Sequence, residues 1–225
     1  MADLSFQQIM ENFTKTSAIG FYIIHLERAK ERLPVIEELE KKLSIKLQIF
    51  EGADGYKLIG EGHPITCQQR GPPATRGPGD IGCTVSHINI CKDALSKNYE
   101  HIVIFEDDCV FTSDLFAVAA SLEQVNMPWD LLLLGGNPKN ALHISGTSVS
   151  KVTDFDCTHA CVLNSKFMRE LVNTYQSYYD SHCTLSIDTM YSNVLKTNKV
   201  TGIILNRRPF IQKPAMYSYI VERIR

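Results

Sequence analysis

A run of apolar residues that ends in three adjacent carboxylates constrains this chain more than any other feature. Ile102 to Phe105 are apolar, Glu106, Asp107 and Asp108 follow directly, and apolar residues then resume. A buried strand cannot hold three neighbouring anions, because each would lose its hydration without a compensating partner. The triplet therefore belongs at the end of a buried strand, where it faces solvent, a cation or a ligand.

The order of elements around this strand predicts an α/β fold. Residues 20–26 form an apolar run of strand length, residues 27–42 carry apolar side chains at helical spacing, and residues 47–50 form a second short strand. Strand, helix and strand in this order favour parallel pairing through a helical crossover. We therefore expect a Rossmann-like, mostly parallel mixed sheet flanked by helices, in which ligands bind at the carboxyl ends of strands.

Alternation along an extended segment predicts that Glu106 and Asp108 share one side and that Asp107 points to the other. Two hard oxygen donors on one side suit Mg²⁺ or Mn²⁺, and these ions often also hold phosphate oxygens. The alternative is a solvated acidic turn, since short acidic motifs also occur without a ligand.

The chain of 225 residues fits one domain with a short segment before it. We assign residues 1–18 to a polar N-terminal leader and residues 19–225 to a single domain. Residues 52–80 hold four of the nine prolines together with many glycines, which predicts a long loop without regular structure. Because such loops in compact domains are usually functional or disordered, we expect a flexible flap over a site. Residues 137–156 are polar, and we expect them to be irregular as well.

Charge and cysteine content limit the partners and the compartment. A net charge of −2 without a long basic run argues against nucleic acid as a partner. No apolar run is long enough for a transmembrane segment, and no secretion signal is visible. Seven scattered cysteines without a Cys-x-x-Cys pair predict reduced thiols and a cytoplasmic protein. The pattern specifies no oligomeric state.

The segment after the first strand supplies candidate residues for binding a phosphorylated ligand. His25, Leu26, Arg28 and Arg32 lie at a strand-to-helix junction, which is a nucleotide site by topology. Because Arg28 and Arg32 are four residues apart, they can face one ligand or pair with neighbouring glutamates.

A second candidate segment follows the predicted flap. Asp80 is suited to cap a helix over residues 81–97, which places Gly82 in the first turn, where unpaired N–H groups favour anions. Ser86 and His87 then lie just off the apolar stripe of the helix and face the cleft. The alternative for His87 is a structural, hydrogen-bonded histidine.

Asp188 lies at the start of a helix predicted over residues 187–195. It is a candidate helix cap, but it is also a carboxylate on a separate segment from the triplet, which a base that activates an acceptor requires. Gly-x-x-x-x-Gly-Lys and Gly-x-Ser-x-Gly motifs do not occur. P-loop chemistry and hydrolase-type serine chemistry therefore lack their usual sequence support.

Several ordered motifs resemble those of glycosyltransferase family 25, which includes bacterial lipooligosaccharide glycosyltransferases and procollagen galactosyltransferases. The likeness spans roughly residues 20–195, and the Gly-Cys-x-x-Ser-His and Glu-Asp-Asp blocks are its most specific parts. The blocks that carry the resemblance are Tyr22-Ile-Ile-His-Leu-Glu-Arg28, Ile49-Phe-Glu-Gly-Ala-Asp-Gly55, Gly79-Asp-Ile-Gly-Cys-Thr-Val-Ser-His87, Ile104-Phe-Glu-Asp-Asp108 and Trp129 to Gly135.

The resemblance implies a GT-A type fold and the transfer of glucose or galactose from a UDP-sugar, with inversion at the anomeric carbon. The acceptor would be a glycan or protein hydroxyl, as in lipopolysaccharide biosynthesis or collagen glycosylation. The acidic triplet then stands at the metal motif of such enzymes, with Asp108 and Glu106 as ligands of Mn²⁺ or Mg²⁺. Glu106 and Asp107 also count among the nucleotide-sugar contacts, and Asp188 is the candidate base.

The resemblance has one departure at the nucleotide site, because His25 stands where the family usually has Asn or Ser. Two alternative functions stay open at this point. One is a catalytically inactive family member that acts as a sugar-binding or adhesion module. The other is a scaffold or interaction protein, which would bind no nucleotide.

Overall fold

Alternate residues of the central strands face two different apolar cores, one on each side of a sheet. The computed structural model describes residues 4–64, 77–197 and 199–214, and the backbone of residues 217–218 and 223–224. The helices are α1 (Phe6–Thr14), α2 (Leu33–Leu43), α3 (Gly55–Gly60), α4 (Pro78–Ser96), α5 (Leu115–Glu123), α6 (Ser165–Asp180) and α7 (Ile187–Lys196). The strands are β1 (Ile19–His25), β2 (Gln48–Glu51), β3 (His101–Glu106), β4 (Cys109–Phe111), β5 (Leu131–Leu133), β6 (Asn137–His143), β7 (Val149–Asp156), β8 (Ala160–Asn164), β9 (Gly202–Leu205), β10 (Phe210–Gln212), β11 (Tyr217–Ser218) and β12 (Arg223–Ile224).

Eight strands form one mixed sheet in the order β2-β1-β3-β8-β5-β9-β7-β6. The pairs β1–β2, β1–β3 and β5–β9 are parallel, and the other neighbours are antiparallel. The prediction of an α/β fold with a mixed sheet flanked by helices is confirmed. From β1 the chain passes to β2 on one side and later to β3 on the other, so the strand order reverses around β1. Such a reversal opens a crevice at the carboxyl ends of the strands.

Strand β3 shows why its sequence is a continuous apolar run. Ile102 and Ile104 pack into the core that contains residues of α4, α6 and α7. Val103 and Phe105 pack into the second core, which contains residues of α1, α2 and α5. All four side chains are fully buried, and each such burial stabilises the fold by about 1.5–3 kcal/mol.

Helix α1 packs against the sheet and is part of the second core. The Phe6 ring is fully buried, and its centroid lies 6.3 Å from that of Phe21, 6.0 Å from that of Phe105 and 5.8 Å from that of Phe210. Residues 4–18 therefore belong to the domain and do not form a leader that precedes it. This short helix is stabilised mainly by the packing of its apolar face against the core.

The predicted flap is regular at both of its described ends. Residues 65–76 lie outside the described residues, so the centre of the flap prediction stays a prediction. Helix α3 occupies Gly55–Gly60, with the Asp54 side chain accepting a hydrogen bond from the Tyr56 N–H, and α4 begins at Pro78. The expectation of no regular structure over residues 52–80 is therefore wrong at these positions, because a side-chain cap and a proline in the first helical turn both start helices.

The polar segment 137–156 is a β-hairpin and not an irregular stretch. Strand β6 is exposed at every residue and pairs with β7. In β7, Val149, Val152 and Phe155 are buried. Because β6 is an edge strand whose side chains are all exposed, it carries no alternation of apolar and polar residues that would reveal it.

The cysteines are not all reduced. Cys183 is disulfide-bonded, whereas the cysteines with reduced thiols among the described residues are Cys83, Cys91, Cys109, Cys157 and Cys161. The expectation of reduced thiols is therefore wrong for Cys183. Because disulfides are rare in reducing compartments, this bond lends no support to a cytoplasmic location, which stays a prediction. Within the described part of the chain, no helix is both long enough and apolar enough to cross a bilayer.

Candidate active site

A cleft opens at the carboxyl ends of β1, β2 and β3, where the strand order reverses. The predicted binding and metal-ligating residues line it, except for His25 and His87, which are buried directly behind it. The lining residues are Ile24, Leu26, Arg28, Arg32, Gly52, Ala53, Gly55, Gly79, Gly82, Cys83, Ser86, Glu106, Asp107 and Asp108. The cleft lies where open α/β sheets bind their ligands.

Asp107 is the centre of a buried charge network. One carboxylate oxygen lies 2.8 Å from Nδ1 of His25, and the other accepts a hydrogen bond from Nη1 of Arg32. All three residues are less than a tenth exposed. Arg32 therefore contacts Asp107, and His25 contacts Asp107 without lining the cleft itself. The network joins the end of β1 and the start of α2 to the end of β3.

Asp108 lies beside this network and faces the cleft. Its Oδ2 is 3.9 Å from Nη1 of Arg32 and 3.5 Å from Nε2 of Gln212. The prediction that Asp107 points away from Glu106 and Asp108 is wrong, because all three line the cleft. Strand β3 ends at Glu106, and Asp107 and Asp108 form the turn to β4, so the alternation of a strand does not extend to them.

Glu106 is held as an anion by its neighbours. Thr158 donates a hydrogen bond from Oγ1 to Glu106 Oε1 at 2.8 Å, and Nε2 of His87 lies 3.5 Å from the same oxygen. Burial raises the pKa of Glu106, but His87, His159 and Thr158 outweigh burial and lower this pKa to about 2. Glu106 is therefore ionised at neutral pH. The sequence interpretation missed Thr158, because only the pairing of β3 with β8 brings it near.

His87 is fully buried, and its Nδ1 lies 3.0 Å from the hydroxyl of Tyr191. The structure thus supports the alternative of a hydrogen-bonded histidine behind the cleft, although Nε2 still faces Glu106. Ser86 lines the cleft, donates to the carbonyl of Gly82 at 2.6 Å and accepts from the N–H of Ala53 at 2.8 Å. It therefore ties α4 to the loop after β2.

Gly82 allows close packing of α4 against the loop after β2, and its role as a contact of the nucleotide sugar stays a prediction. Because α4 begins at Pro78, with Gly77 as its N-cap, Gly82 lies in the second turn, and the prediction of a first-turn N–H there is wrong. A Cβ on Gly82 would lie 2.4 Å from the carbonyl oxygen of Ala53. Gly79, in the first turn, does line the cleft. The spacing Gly-x-Gly-x-x-Gly over residues 77–82 is a signal that the sequence interpretation missed, and its third glycine commonly allows close packing.

Arg28 lies at the mouth of the cleft. It donates a hydrogen bond to Asp54, the cap of α3, and its guanidinium carbon is 5.8 Å from the centre of the Tyr56 ring. Its side chain is 38% exposed, in contrast to that of Arg32. The two arginines therefore reach the cleft from different positions, one at the mouth and one beside the acidic turn.

Asp188 lies in the first turn of α7, whose N-cap is Ser186. Its Oδ1 accepts hydrogen bonds from the N–H of Thr189 at 2.7 Å and from Oγ of Ser186 at 2.5 Å. It is not among the described residues that line the cleft. Its charge nevertheless acts on Cys83, which lines the cleft. Burial raises the pKa of the Cys83 thiol most, and the negative charges of Glu106, Asp80 and Asp188 raise it further. Its role as a base stays a prediction.

Comparisons with known proteins agree with the motifs. A Bos taurus protein named probable inactive glycosyltransferase 25 family member 3 is 32% identical over 149 residues, which cover 59% of this chain and 25% of that protein. Procollagen galactosyltransferase 1-A of Xenopus laevis is 38% identical over 143 residues, which cover 54% of this chain and 22% of that protein. The chain thus spans about a quarter of the length of these relatives.

A solved structure and a family model complete the comparison. The CTP:phosphocholine cytidylyltransferase LicC of Streptococcus pneumoniae aligns with a TM-score of 0.43 at 12% identity, covering 94% of this chain and 81% of that one. The model of glycosyltransferase family 25 (LPS biosynthesis protein) matches residues 18–198. Because this match covers most of the sequence and includes the acidic triplet, the chain belongs to glycosyltransferase family 25.

Proposed function

We propose that this domain transfers a hexose, glucose or galactose, from a UDP-sugar to a hydroxyl of a glycan or protein, with inversion at the anomeric carbon. The observation that carries the proposal is the shared cleft, in which Glu106 and Asp108 lie with Arg28 and Arg32 at the switch point of the sheet. The relatives that are named procollagen galactosyltransferases favour galactose as the sugar and a collagen-type protein as the acceptor.

The charge of the cleft supports a requirement for a divalent cation. Among the described residues, three carboxylates and two arginines line it, and each of these arginines already contacts a carboxylate: Arg32 contacts Asp107, and Arg28 contacts Asp54. A diphosphate alone would therefore meet an excess of negative charge. The oxygens of Glu106 and Asp108 are hard donors that fit Mn²⁺ or Mg²⁺, and the low pKa of Glu106 keeps it anionic.

The residues of the cleft would act mainly through charge. When bound, the cation neutralises the negative charge that develops on the departing diphosphate. Asp107 holds the guanidinium of Arg32 next to Asp108. This positive charge is therefore already in position near the departing diphosphate, and the side chain needs no reorganisation during the reaction. The anomeric carbon of the donor sugar has oxocarbenium-ion character in the transition state. The bond from this carbon to the acceptor oxygen forms as its bond to the phosphate oxygen breaks. Asp188 is our candidate to accept the proton of the acceptor hydroxyl.

Asp188→Asn tests the assignment of the base. Asparagine has nearly the same size and can still accept the hydrogen bond from the Thr189 N–H, so the fold should be preserved. We expect turnover to fall by about 100-fold or more, as for loss of a general base, with the affinity for UDP unchanged in calorimetry. Asp180→Asn, at the exposed end of α6, is the matched control. Loss of UDP binding, or turnover equal to that of the wild type, would contradict the assignment of Asp188 as the base.

Thermal unfolding with nucleotide sugars tests the proposed function itself. A ligand at 100 times its dissociation constant stabilises the native state by about 2.7 kcal/mol, which corresponds to roughly 5–10 °C for a domain of this size. We expect this shift with UDP-galactose or UDP-glucose only when Mn²⁺ is present, and not with Mn²⁺ alone. Absence of any shift with UDP-sugars and Mn²⁺ would refute donor binding and would favour a scaffold.

A second candidate function is an inactive family member that binds sugar without transferring it. The Bos taurus relative that is named probable inactive favours it, and so does the engagement of Glu106 by Thr158 and His87. The two candidates differ in the slow hydrolysis of UDP-galactose with Mn²⁺ and no acceptor. An active enzyme releases UDP under these conditions, whereas the inactive module binds the sugar nucleotide or glycan without releasing UDP.

A further inference from the structure

We propose that Cys83, His87 and Glu106 form a binding site for a thiophilic divalent cation of the Zn²⁺ class, on the inner wall of the cleft. One donor atom from each residue, a sulfur, a ring nitrogen and a carboxylate oxygen, lies within 4.8 Å of the other two. The site does not include Asp108, which the proposed Mn²⁺ or Mg²⁺ site requires. It also does not depend on whether the cleft binds a UDP-sugar.

The backbone brings these three donors together from two elements. Cys83 and His87 are four residues apart on α4 and therefore lie on one face of that helix. Glu106, at the end of β3, faces them: its Oε1 is 3.5 Å from Nε2 of His87 and 4.0 Å from Sγ of Cys83. Ligand atoms bound tetrahedrally at about 2.0–2.3 Å from a Zn²⁺ ion lie about 3.3–3.8 Å apart. Only small side-chain movements separate the observed arrangement from coordination.

The second observation is the state of the His87 ring. The residue is fully buried, and its Nε2 has no hydrogen-bond partner among the described residues although it faces Glu106. A buried polar atom without such a partner is costly, and a cation between Nε2 and the carboxylate would remove that cost. The other ring nitrogen, Nδ1, contacts the hydroxyl of Tyr191 at 3.0 Å, as is usual for a histidine that binds metal. Thr158 likewise holds the carboxylate of Glu106 in place.

The donor set selects the kind of ion. A thiolate with an imidazole and a carboxylate suits Zn²⁺, whereas Mn²⁺ and Mg²⁺ prefer oxygen ligands. Binding releases the proton of the Cys83 thiol to solvent as the sulfur–metal bond forms. Because Cys83 and Glu106 both line the cleft, a fourth coordination position would open into it. An ion there would occupy part of the space proposed for the diphosphate and would share Glu106 with the oxygen-ligand site.

Titration of the metal-free full chain with Co²⁺ tests the site, because a thiolate bound to Co²⁺ gives a charge-transfer band in the near ultraviolet. We expect this band to saturate at one equivalent and to disappear when Zn²⁺ is added. Cys83→Ser should abolish the band, and His87→Gln should lower Co²⁺ affinity at least about tenfold, the effect of losing even an outer-shell partner. Cys157→Ser, which alters another free thiol, and Asp108→Asn should leave the band intact.

The outcomes are separable from those of the donor-binding test. A band that survives in Cys83→Ser, or that is lost in Cys157→Ser, overturns the site, and so does the absence of any band in the wild-type chain. X-ray absorption of the Zn²⁺-loaded wild-type chain needs no variant. It should show one sulfur at about 2.3 Å and nitrogen or oxygen at about 2.0–2.2 Å, and a shell without sulfur refutes the proposal. A normal Co²⁺ band with no UDP-dependent stabilisation would leave this site standing while the proposed function fails.

Discussion

Asp108→Asn is expected to abolish Mn²⁺-stimulated sugar transfer while the protein remains folded. The substitution keeps the size of the side chain at the turn between β3 and β4 but removes the negative charge that the proposed cation needs. Loss of one preorganised electrostatic contact of this kind lowers turnover by about 100-fold or more. Release of UDP from UDP-galactose, measured over a series of Mn²⁺ concentrations, reports the effect.

The matched control for this variant is Asp114→Asn. Asp114 is an exposed carboxylate that caps α5 and does not line the cleft, and asparagine is also a good cap. We expect its Mn²⁺ dependence to equal that of the wild-type protein. If Asp108→Asn transfers sugar at the wild-type rate, both with Mn²⁺ and with a chelator, the assignment of Asp108 as a metal ligand is wrong.

Asp107→Ala is expected to lower the stability of the fold, because Asp107 is the centre of a buried charge network. It removes the carboxylate that Arg32 and His25 contact most closely in a buried position. Breaking a buried ion pair by removing one partner costs about 3–5 kcal/mol, which corresponds to a fall of about 10 °C in Tm for a chain of this size. Chemical denaturation of the wild type and the variant measures the change in the free energy of unfolding.

A surface ion pair provides the contrast for Asp107→Ala. Glu38 pairs with Lys42 on α2, with about half of each side chain exposed. Glu38→Ala should leave the denaturation midpoint close to that of the wild type, because an exposed ion pair contributes little to stability. In a double-mutant cycle, Arg32→Met should cost less in the Asp107→Ala background than in the wild type. Equal stability of Asp107→Ala and the wild type would show that the network does not support the fold.

The position of the acidic triplet could be predicted from the sequence, whereas the division of roles within it could not. A continuous apolar run indicates a buried strand, and the charges that follow it indicate where that strand ends. This pattern along the sequence therefore predicted the end of β3 and the position of the cleft. The partners of Asp107 come from β1 and the segment before α2, and the partner of Glu106 comes from the segment before β8. Such contacts depend on the strand order, which a single sequence does not specify.

Local rules also failed where the three-dimensional setting overrode them. As a candidate cap, Asp80 predicts a start of α4 that is too late, because the helix begins at Pro78 with Gly77 as its N-cap. The polar composition of residues 1–18 predicts a leader, whereas the contacts of α1 with buried aromatic residues show that it belongs to the core. The β6–β7 hairpin escaped prediction, because an exposed edge strand carries no burial pattern.

The most direct test of cation binding at the acidic turn is a crystal structure of the wild-type chain with Mn²⁺ and UDP, using the anomalous signal of manganese. We expect one manganese peak in direct contact with the carboxylate of Asp108, close to Glu106, and bridged to the diphosphate of UDP in the cleft. A manganese peak and a diphosphate that both lie elsewhere, with no cation at this turn, would contradict the proposed role of these carboxylates.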